Sequence, residues 1–495
     1  MPNFLSQLTQ PCNTTFVLRL ANLTVLSCQK VVRVAPQKRV VCQALWQGKL
    51  VYAKLFFGEN ASKYAARDAA GVKWLVDANI DTPHLFYQGE AAEKNAYVLI
   101  FEAIAPANNV EEIWPTLTTV QRIDLLKKLV IEVAKHHNAG LIQTDLYFKN
   151  FLVTDNRIYT IDGDGIRLLS FMCRAGQTQH NLATLFSKMD TLDDDLIYDA
   201  YAAYCQQRGI EYSTFDEAKV WVKTQKIRRQ AAGHYADKKV FRQCSDVDIV
   251  QQKNLFIASS SRFIPTLSPQ NIEQVETYFT KDNLLKDGNT CTVVLAEIDH
   301  KKIVIKRYNI KGFWHGVSRA FRQTRAAASW ANAHRLNILG AATAAPVALI
   351  EERKFGFLKL KAKAYFLAEY VDAPDVAEFF ANTRDKTERA EAVKNIAQLF
   401  YKLFLLQISH GDMKASNIKM QGTQPVLIDL DSMRQHRNTN VAAHVRDLQR
   451  FMQNWQEMPS LYNAFVKTFK VIYPDDSMLV KAGRSEERRV GKECS

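Results

Sequence analysis

The stretch HGDMKASN at 410–417, followed by VLIDLDSM at 426–433, sets one carboxylate, Asp412, five residues before an amide, Asn417, and a second carboxylate, Asp429, at the end of an apolar run. A cruder form of the same text stands earlier, as QTDLYFKN at 143–150 and YTIDGDGI at 159–166. Aligned without a gap, Asp145 falls on Asp412, Asn150 on Asn417, Asp162 on Asp429 and Asp164 on Asp431. Such residues suit phosphoryl transfer, which needs little covalent chemistry from a protein and much positioning: a cation on phosphate oxygens, hard oxygen ligands for Mg²⁺, and a carboxylate beside the attacking hydroxyl. Asp412 and Asp145 are the candidate bases. Asn417 with Asp429, and Asn150 with Asp162, are the candidate metal ligands, since Mg²⁺ prefers oxygen donors. Lys414, two residues past Asp412, could neutralise the transferred group.

The elements that must hold these groups can be read upstream of each block. IDLLKKLVIEVAKHHNAG (123–140) and ERAEAVKNIAQLFYKLFLLQ (388–407) carry apolar residues at helical spacing, and Gly140 reads as a helix stop. Earlier still, KLVYAKLFF (49–57) and KIVIKRYN (302–309) read as strands, each with one interior lysine among β-branched and aromatic neighbours. These lysines, Lys54 and Lys306, suit phosphate binding as point charges. In both halves the order is lysine strand, helix, strands, helix, then the loop rich in Asp and Asn, so the chain reads as two large units in tandem rather than a solenoid.

On these residues the chain resembles the protein-kinase-like superfamily, and most closely the bacterial lipopolysaccharide core kinases that act on Kdo and heptose. The resemblance rests on HGDMKASN with LIDLD, VIKRYNIKGFWH and SWANAHRLNILG in the second half, and on TDLYFKNFLV with YTIDGDGI in the first. It implies an α+β fold of two tandem bilobal kinase-like domains, each with a small β-rich lobe and a larger helical lobe. The implied activity is ATP- and Mg²⁺-dependent transfer of the γ-phosphate to a sugar hydroxyl of the lipopolysaccharide core. The expected domains are 13–250 and 271–482, joined by a linker at 251–270 in which Ser and Pro cluster; 483–495, polar and unlike the text before it, reads as a non-native tail.

The chain departs from the family pattern at several places. The first copy has Gln143, Thr144 and Tyr147 where the second has His410, Gly411 and Lys414, so the second is expected to be the better-equipped catalyst. Neither 33–45 nor 284–298 offers a glycine-rich phosphate loop. The small-lobe carboxylate that would hold the lysine is open: Asp68 is a candidate in the first copy, whereas Ala331 falls near the place in the second. His136 and His137 are expected to cap a helix C-terminus through its dipole, and His410 to fix its loop by hydrogen bonds. DGDG at 162–165 lacks the closing glutamate of a calcium loop. A scaffold that retains the fold without catalysis, and a soluble small-molecule kinase of aminoglycoside or choline type, are the competing readings.

Composition narrows the setting. A net charge of +14 favours an anionic partner. The run 301–325, eight cations and no acid with Tyr308, Phe313, Trp314 and Phe321, suggests a glycolipid acceptor and peripheral contact with the inner face of the inner membrane. No nucleic-acid signature accompanies it. Eight scattered cysteines without a CxxC pair favour free thiols in the cytoplasm. No apolar stretch is long enough to span a bilayer, and the oligomeric state is not encoded in any feature of the text.

Overall fold

The computed structural model describes residues 8, 10–93, 96–155, 157–170, 174–252, 254–261, 272–288, 290–309, 323–354 and 360–473. The chain divides into two compact units, Met1–Ile227 and Arg228–Ser495, and the division falls within the helix Thr214–Asp237.

The first unit opens with a six-stranded antiparallel sheet. In spatial order its strands are Phe16–Arg19, Val25–Ala35, Arg39–Trp46, Lys49–Phe56, Tyr97–Glu102 and Leu85–Glu90. Alternation sets its faces: in Lys49–Phe56, Val51, Ala53 and Leu55 are buried in one cluster with Val40, Cys42, Val98 and Ile100, while Lys54 points the other way. The helix Ala61–Asp77 lies across that other face, burying Ala65, Ala69 and Val72 against Phe56, Leu99 and Phe101. A helical part follows. Its long helix, Thr119–Asn138, begins in a capping box between Thr118 and Gln121 and buries Leu126, Leu129, Val130 and Val133 against Arg174–Phe186 and Leu196–Arg208.

The second unit repeats that order of elements. Its seven-stranded antiparallel sheet runs Val247–Gln252, Leu255–Ser260, Pro346–Lys354, Leu360–Glu369, Lys301–Asn309, Cys291–Ile298 and Leu284–Asp287. The helix Arg325–Ile338 packs on it through Ala326, Ala327 and Trp330. The long helix Lys386–Leu405, capped by Asp385 accepting from the Glu388 N–H, carries Val393, Ile396, Phe400 and Leu403 into a core shared with the helices Val441–Met452 and Pro459–Ile472.

Two expectations change here. Residues 251–252 and 255–260, expected to be linker, instead complete Val247–Gln252 and form Leu255–Ser260 in the sheet. The reason is burial on both faces: Phe256 and Ala258 enter one apolar cluster and Ile257 another, which a solvated linker does not do. The expected linker residues 262–270, the tail 483–495, and residues 310–322 of the basic run lie outside the described residues. His136 and His137 are buried, and burial lowers them to about 3 and about 4, so both are neutral in the fold and do not act as charged caps. They work instead as hydrogen-bonding core groups, His136 with Thr160 Oγ1 at 3.0 Å and His137 between Tyr204 at 2.7 Å and Asn181 at 3.0 Å.

Candidate active sites

The sheets give the two lysines the same setting. Lys54 stands opposite Val41 on one neighbouring strand and Leu99 on the other; Lys306 stands opposite Val293 and Phe366. In the second unit a cleft of about 350 Å³ is lined by Val293, Val304, Lys306, Ala368, Asn417 and Asp429, among others. In the first a larger cleft, of about 620 Å³, is lined by Val41, Tyr52, Lys54, Phe101, Asn150 and Asp162, together with Arg33 and Arg39. Each cleft brings the strand lysine together with the loop asparagine and aspartate, Lys54 with Asn150 and Asp162 and Lys306 with Asn417 and Asp429.

The loop backbones also agree. Asn150 Nδ2 donates to the Asp145 carbonyl at 2.7 Å, and Asn417 Nδ2 to the Asp412 carbonyl at 2.7 Å. The Ile161 N–H bonds the Asn150 carbonyl and the Ile428 N–H the Asn417 carbonyl, at 2.9 and 3.0 Å. The next residue in each chain segment, Asp162 or Asp429, takes a left-handed conformation, φ 72° and 59°. That region is unfavourable for a side-chain-bearing residue, and its appearance at matched positions points each carboxylate into its cleft at a cost in backbone strain.

Side-chain chemistry then separates the two sites. In the first unit Lys54 Nζ lies 2.6 Å from Asp68 and 3.2 Å from Asp162, with Arg39 at 3.8 and 3.6 Å from the same two carboxylates. Burial pushes Asp162 up, but Lys54 and Arg39 outweigh it and hold the carboxyl at about 2; burial raises Asp68, with Lys54 opposing. In the second unit Lys306 instead pairs with Asp429 and, at 3.0 Å, with Asp431, which Arg325 also reaches at 2.8 Å. Burial lowers the Lys306 ammonium, but Tyr308, Asp429 and Asp431 outweigh it and raise it.

Among the described residues no helix carboxylate meets Lys306. The helices Ala61–Asp77 and Arg325–Ile338 end alike, with Ile80 N–H to the Leu75 carbonyl and Ala341 N–H to the Leu336 carbonyl. Counted back from that end, Ser329, not Ala331, takes the place of Asp68, and its hydroxyl pairs with Tyr308 at 3.0 Å. Ala331 is a buried core residue.

The proposed bases differ too. Asp412 is gripped by Arg450 on Oδ1 at 2.8 Å and by Lys414 on Oδ2 at 3.1 Å. Its loop is fixed by Asp447, whose two oxygens accept the His410 and Gly411 N–H groups at 2.7 and 2.9 Å, while His410 Nε2 donates to the Ile428 carbonyl at 3.0 Å. Asp145 is exposed, and among the described residues its carboxylate has no ion pair. Its loop is held by Asn181, whose amide donates to the Gln143 carbonyl at 2.7 Å. Tyr147, where the second unit has Lys414, carries Lys188 over its ring at 4.0 Å and Lys149 at 5.1 Å.

Arg39, Ser329, Asp447 and Arg450 were not legible as site residues. The available signal was an acid and a base three residues apart on the amphipathic helix Val441–Met452, Asp447 and Arg450.

An Mg²⁺ ion fits the donors present. Asn150 is buried and spends its amide N–H on Asp145, leaving Oδ1 without a partner, and Asp162 beside it is held ionised. Among the described residues no three His, Cys, Asp or Glu side chains cluster to hold a metal, so an ion here would take one amide, one carboxylate and phosphate oxygens. No helix among the described residues is long and apolar enough to cross a membrane.

Residues 279–473, inside the second unit, match the model of the Lipopolysaccharide kinase (Kdo/WaaP) family. No curated protein matches the chain. The match is to a family of kinases and supports a phosphotransferase acting on lipopolysaccharide.

Proposed function

We propose that the chain is a tandem of two kinase-like domains, and that it transfers the γ-phosphate of ATP to a heptose or Kdo hydroxyl of the lipopolysaccharide core. The observation that carries this is the coincidence, within the family-matched residues, of Lys306, Asn417 and Asp429 at one cleft with Asp412 bonded to the same asparagine. In this account Lys306 and Lys54 hold nucleotide phosphates, and Asn417 with Asp429, and Asn150 with Asp162, hold Mg²⁺. The ion supplies charge neutralisation on the phosphates when bound. Asp412 accepts the proton of the attacking sugar hydroxyl, and Lys414 with Arg450 orient it and offset negative charge on the transferred group. Asp145 does the same in the first unit with weaker support. The glycolipid acceptor places the protein at the inner face of the inner membrane, in the cytoplasm, as a peripheral partner.

The test is the phosphate content of lipid A–core from cells with and without the protein, by mass spectrometry. Loss of one phosphate per core in the deletion is expected; an unchanged phosphate pattern overturns the proposal.

A further inference from the structure

Residues 33–45 of the first unit offer no glycine-rich loop, yet its cleft is the larger of the two and carries an arginine at a ladder position where the second unit has a cysteine. In the ladder, Arg39 begins the strand Arg39–Trp46, two residues before Val41, which faces Lys54; the residue two before Val293, which faces Lys306, is Cys291. Arg39 lines the cleft, with its side chain only 16% exposed and its guanidinium over Phe56 at 5.8 Å. Its distances to Asp68 and Asp162, 3.8 and 3.6 Å, are those of ion pairs without hydrogen bonds. Among the described residues the guanidinium makes no hydrogen bond, and none of its nitrogens is sealed from solvent, so its five N–H donors stay open to the cleft beside the lysine. Lys54, by contrast, donates to both Asp68 and Asp162.

Resting on the nucleotide site proposed above, we infer that Arg39 is a second phosphate-binding residue of the first unit, gripping nucleotide phosphate oxygens beside Lys54 in place of the backbone N–H groups of a glycine-rich loop. A planar fork suits two phosphate oxygens at once, and a hydrogen-bonded guanidinium binds them in one orientation where a lysine is a point charge. Three consequences follow from its place. Affinity in the first unit rises with the number of phosphates on the ligand. The second unit, with Cys291 at the equivalent position, depends on Lys306 and the basic Lys286 of its cleft wall. The two sites therefore discriminate ATP from adenosine to different degrees.

The experiment is photolabelling of the full chain with 8-azidoadenosine, a probe without phosphate, reading labelled peptides from residues 1–227 by mass spectrometry while adenosine, AMP, ADP or ATP competes. In the wild type, ATP is expected to compete far better than adenosine. Arg39→Met is expected to weaken ATP and ADP as competitors about 10- to 100-fold, the range of a charge-assisted hydrogen bond, to leave adenosine within about 3-fold, and Arg39→Lys to recover part of the loss. Equal weakening of ATP and adenosine would show that Arg39 only shapes the cleft and overturns the inference, as does unchanged ATP competition in Arg39→Met. If the wild-type first unit takes no label that ATP displaces, the nucleotide site itself falls and Arg39 with it; if ATP displaces label equally in wild type and Arg39→Met, the site stands and only the role of Arg39 falls.

Discussion

Gly71, in the middle of the helix Ala61–Asp77, meets Gly163 backbone to backbone: a Cβ on either would come closer than 3.0 Å to main-chain atoms of the other segment. This approach sets the helix directly on the loop that follows Asp162, and so brings Asp68 and Asp162 to the same lysine. In the second unit the corresponding pair is Asn332 and Leu430. There the Asn332 amide fills the space and donates to the Leu430 and Met433 carbonyls at 2.9 and 3.0 Å.

Gly163→Ala should therefore destabilise the first unit by about 1–3 kcal/mol, the usual cost of forcing a methyl into a filled contact, and loosen the Lys54–Asp68 pair. Hydrogen exchange over residues 49–77 in increasing urea checks it. Protection equal to wild type would mean that the helix does not rest on this loop.

The loop around Asp412 hangs on Asp447. Asp447→Asn keeps one acceptor but turns an amide N–H₂ toward a backbone N–H, leaving a buried donor unsatisfied at about 1–3 kcal/mol. Faster exchange of the Gly411 amide is expected, together with a fall in phosphate transfer by the second unit. If the amide exchanges as in wild type, the loop is held by other groups.

Histidine burial fixes a pH dependence. Burial lowers His334 and His444 to about 4, as it lowers His137 to about 4 and His136 to about 3. In the unfolded chain these groups take up a proton near their ordinary value of about 6.5, whereas the fold keeps them neutral. Between about pH 6.5 and 4 the unfolded state binds more protons, so stability falls as pH falls, at about 1.4 kcal/mol per pH unit for each histidine. His444 bonds Tyr473 at 2.8 Å. Urea midpoints at pH 7.5, 5.5 and 4.5 should show a shallower acid loss for His444→Gln than for wild type; parallel curves would contradict burial of a neutral imidazole there.

A ligand that binds only the folded state raises its stability by mass action. Mg²⁺-ATP is expected to raise the melting temperature, and Asp162→Ala combined with Asp429→Ala to remove the part of the shift that depends on Mg²⁺. A shift that the double variant retains in full would place the ion on other ligands.

How much of this was written in the sequence follows from which interactions are local. The helices at 119–138 and 386–405 and the lysine strands at 49–56 and 301–309 announce themselves by period and by caps a few residues long. The Asp-x₄-Asn pairs did as well, because Asn150 and Asn417 bond the carbonyls of Asp145 and Asp412 within one loop. What closes through space was hidden. Arg450 reaches Asp412 from a helix 38 residues on, and Asn332 reaches Leu430 across 98. The strand at 255–260 was hidden for a different reason: a short apolar run buried on both faces has no alternation to show.

The role of Asp412 as the base, and of the second site as the stronger of the two, is tested most directly by ³²P transfer from ATP to purified lipid A–core, by wild type, Asp412→Asn, Asp145→Asn and the double variant. Loss of a positioned base typically costs about 10²–10⁴ in rate. Asp412→Asn should remove most of the transfer and Asp145→Asn a smaller or separate share, with the double variant inactive. A silent Asp412→Asn beside an Asp145→Asn that abolishes all transfer would contradict this role for Asp412 and make the first unit the enzyme.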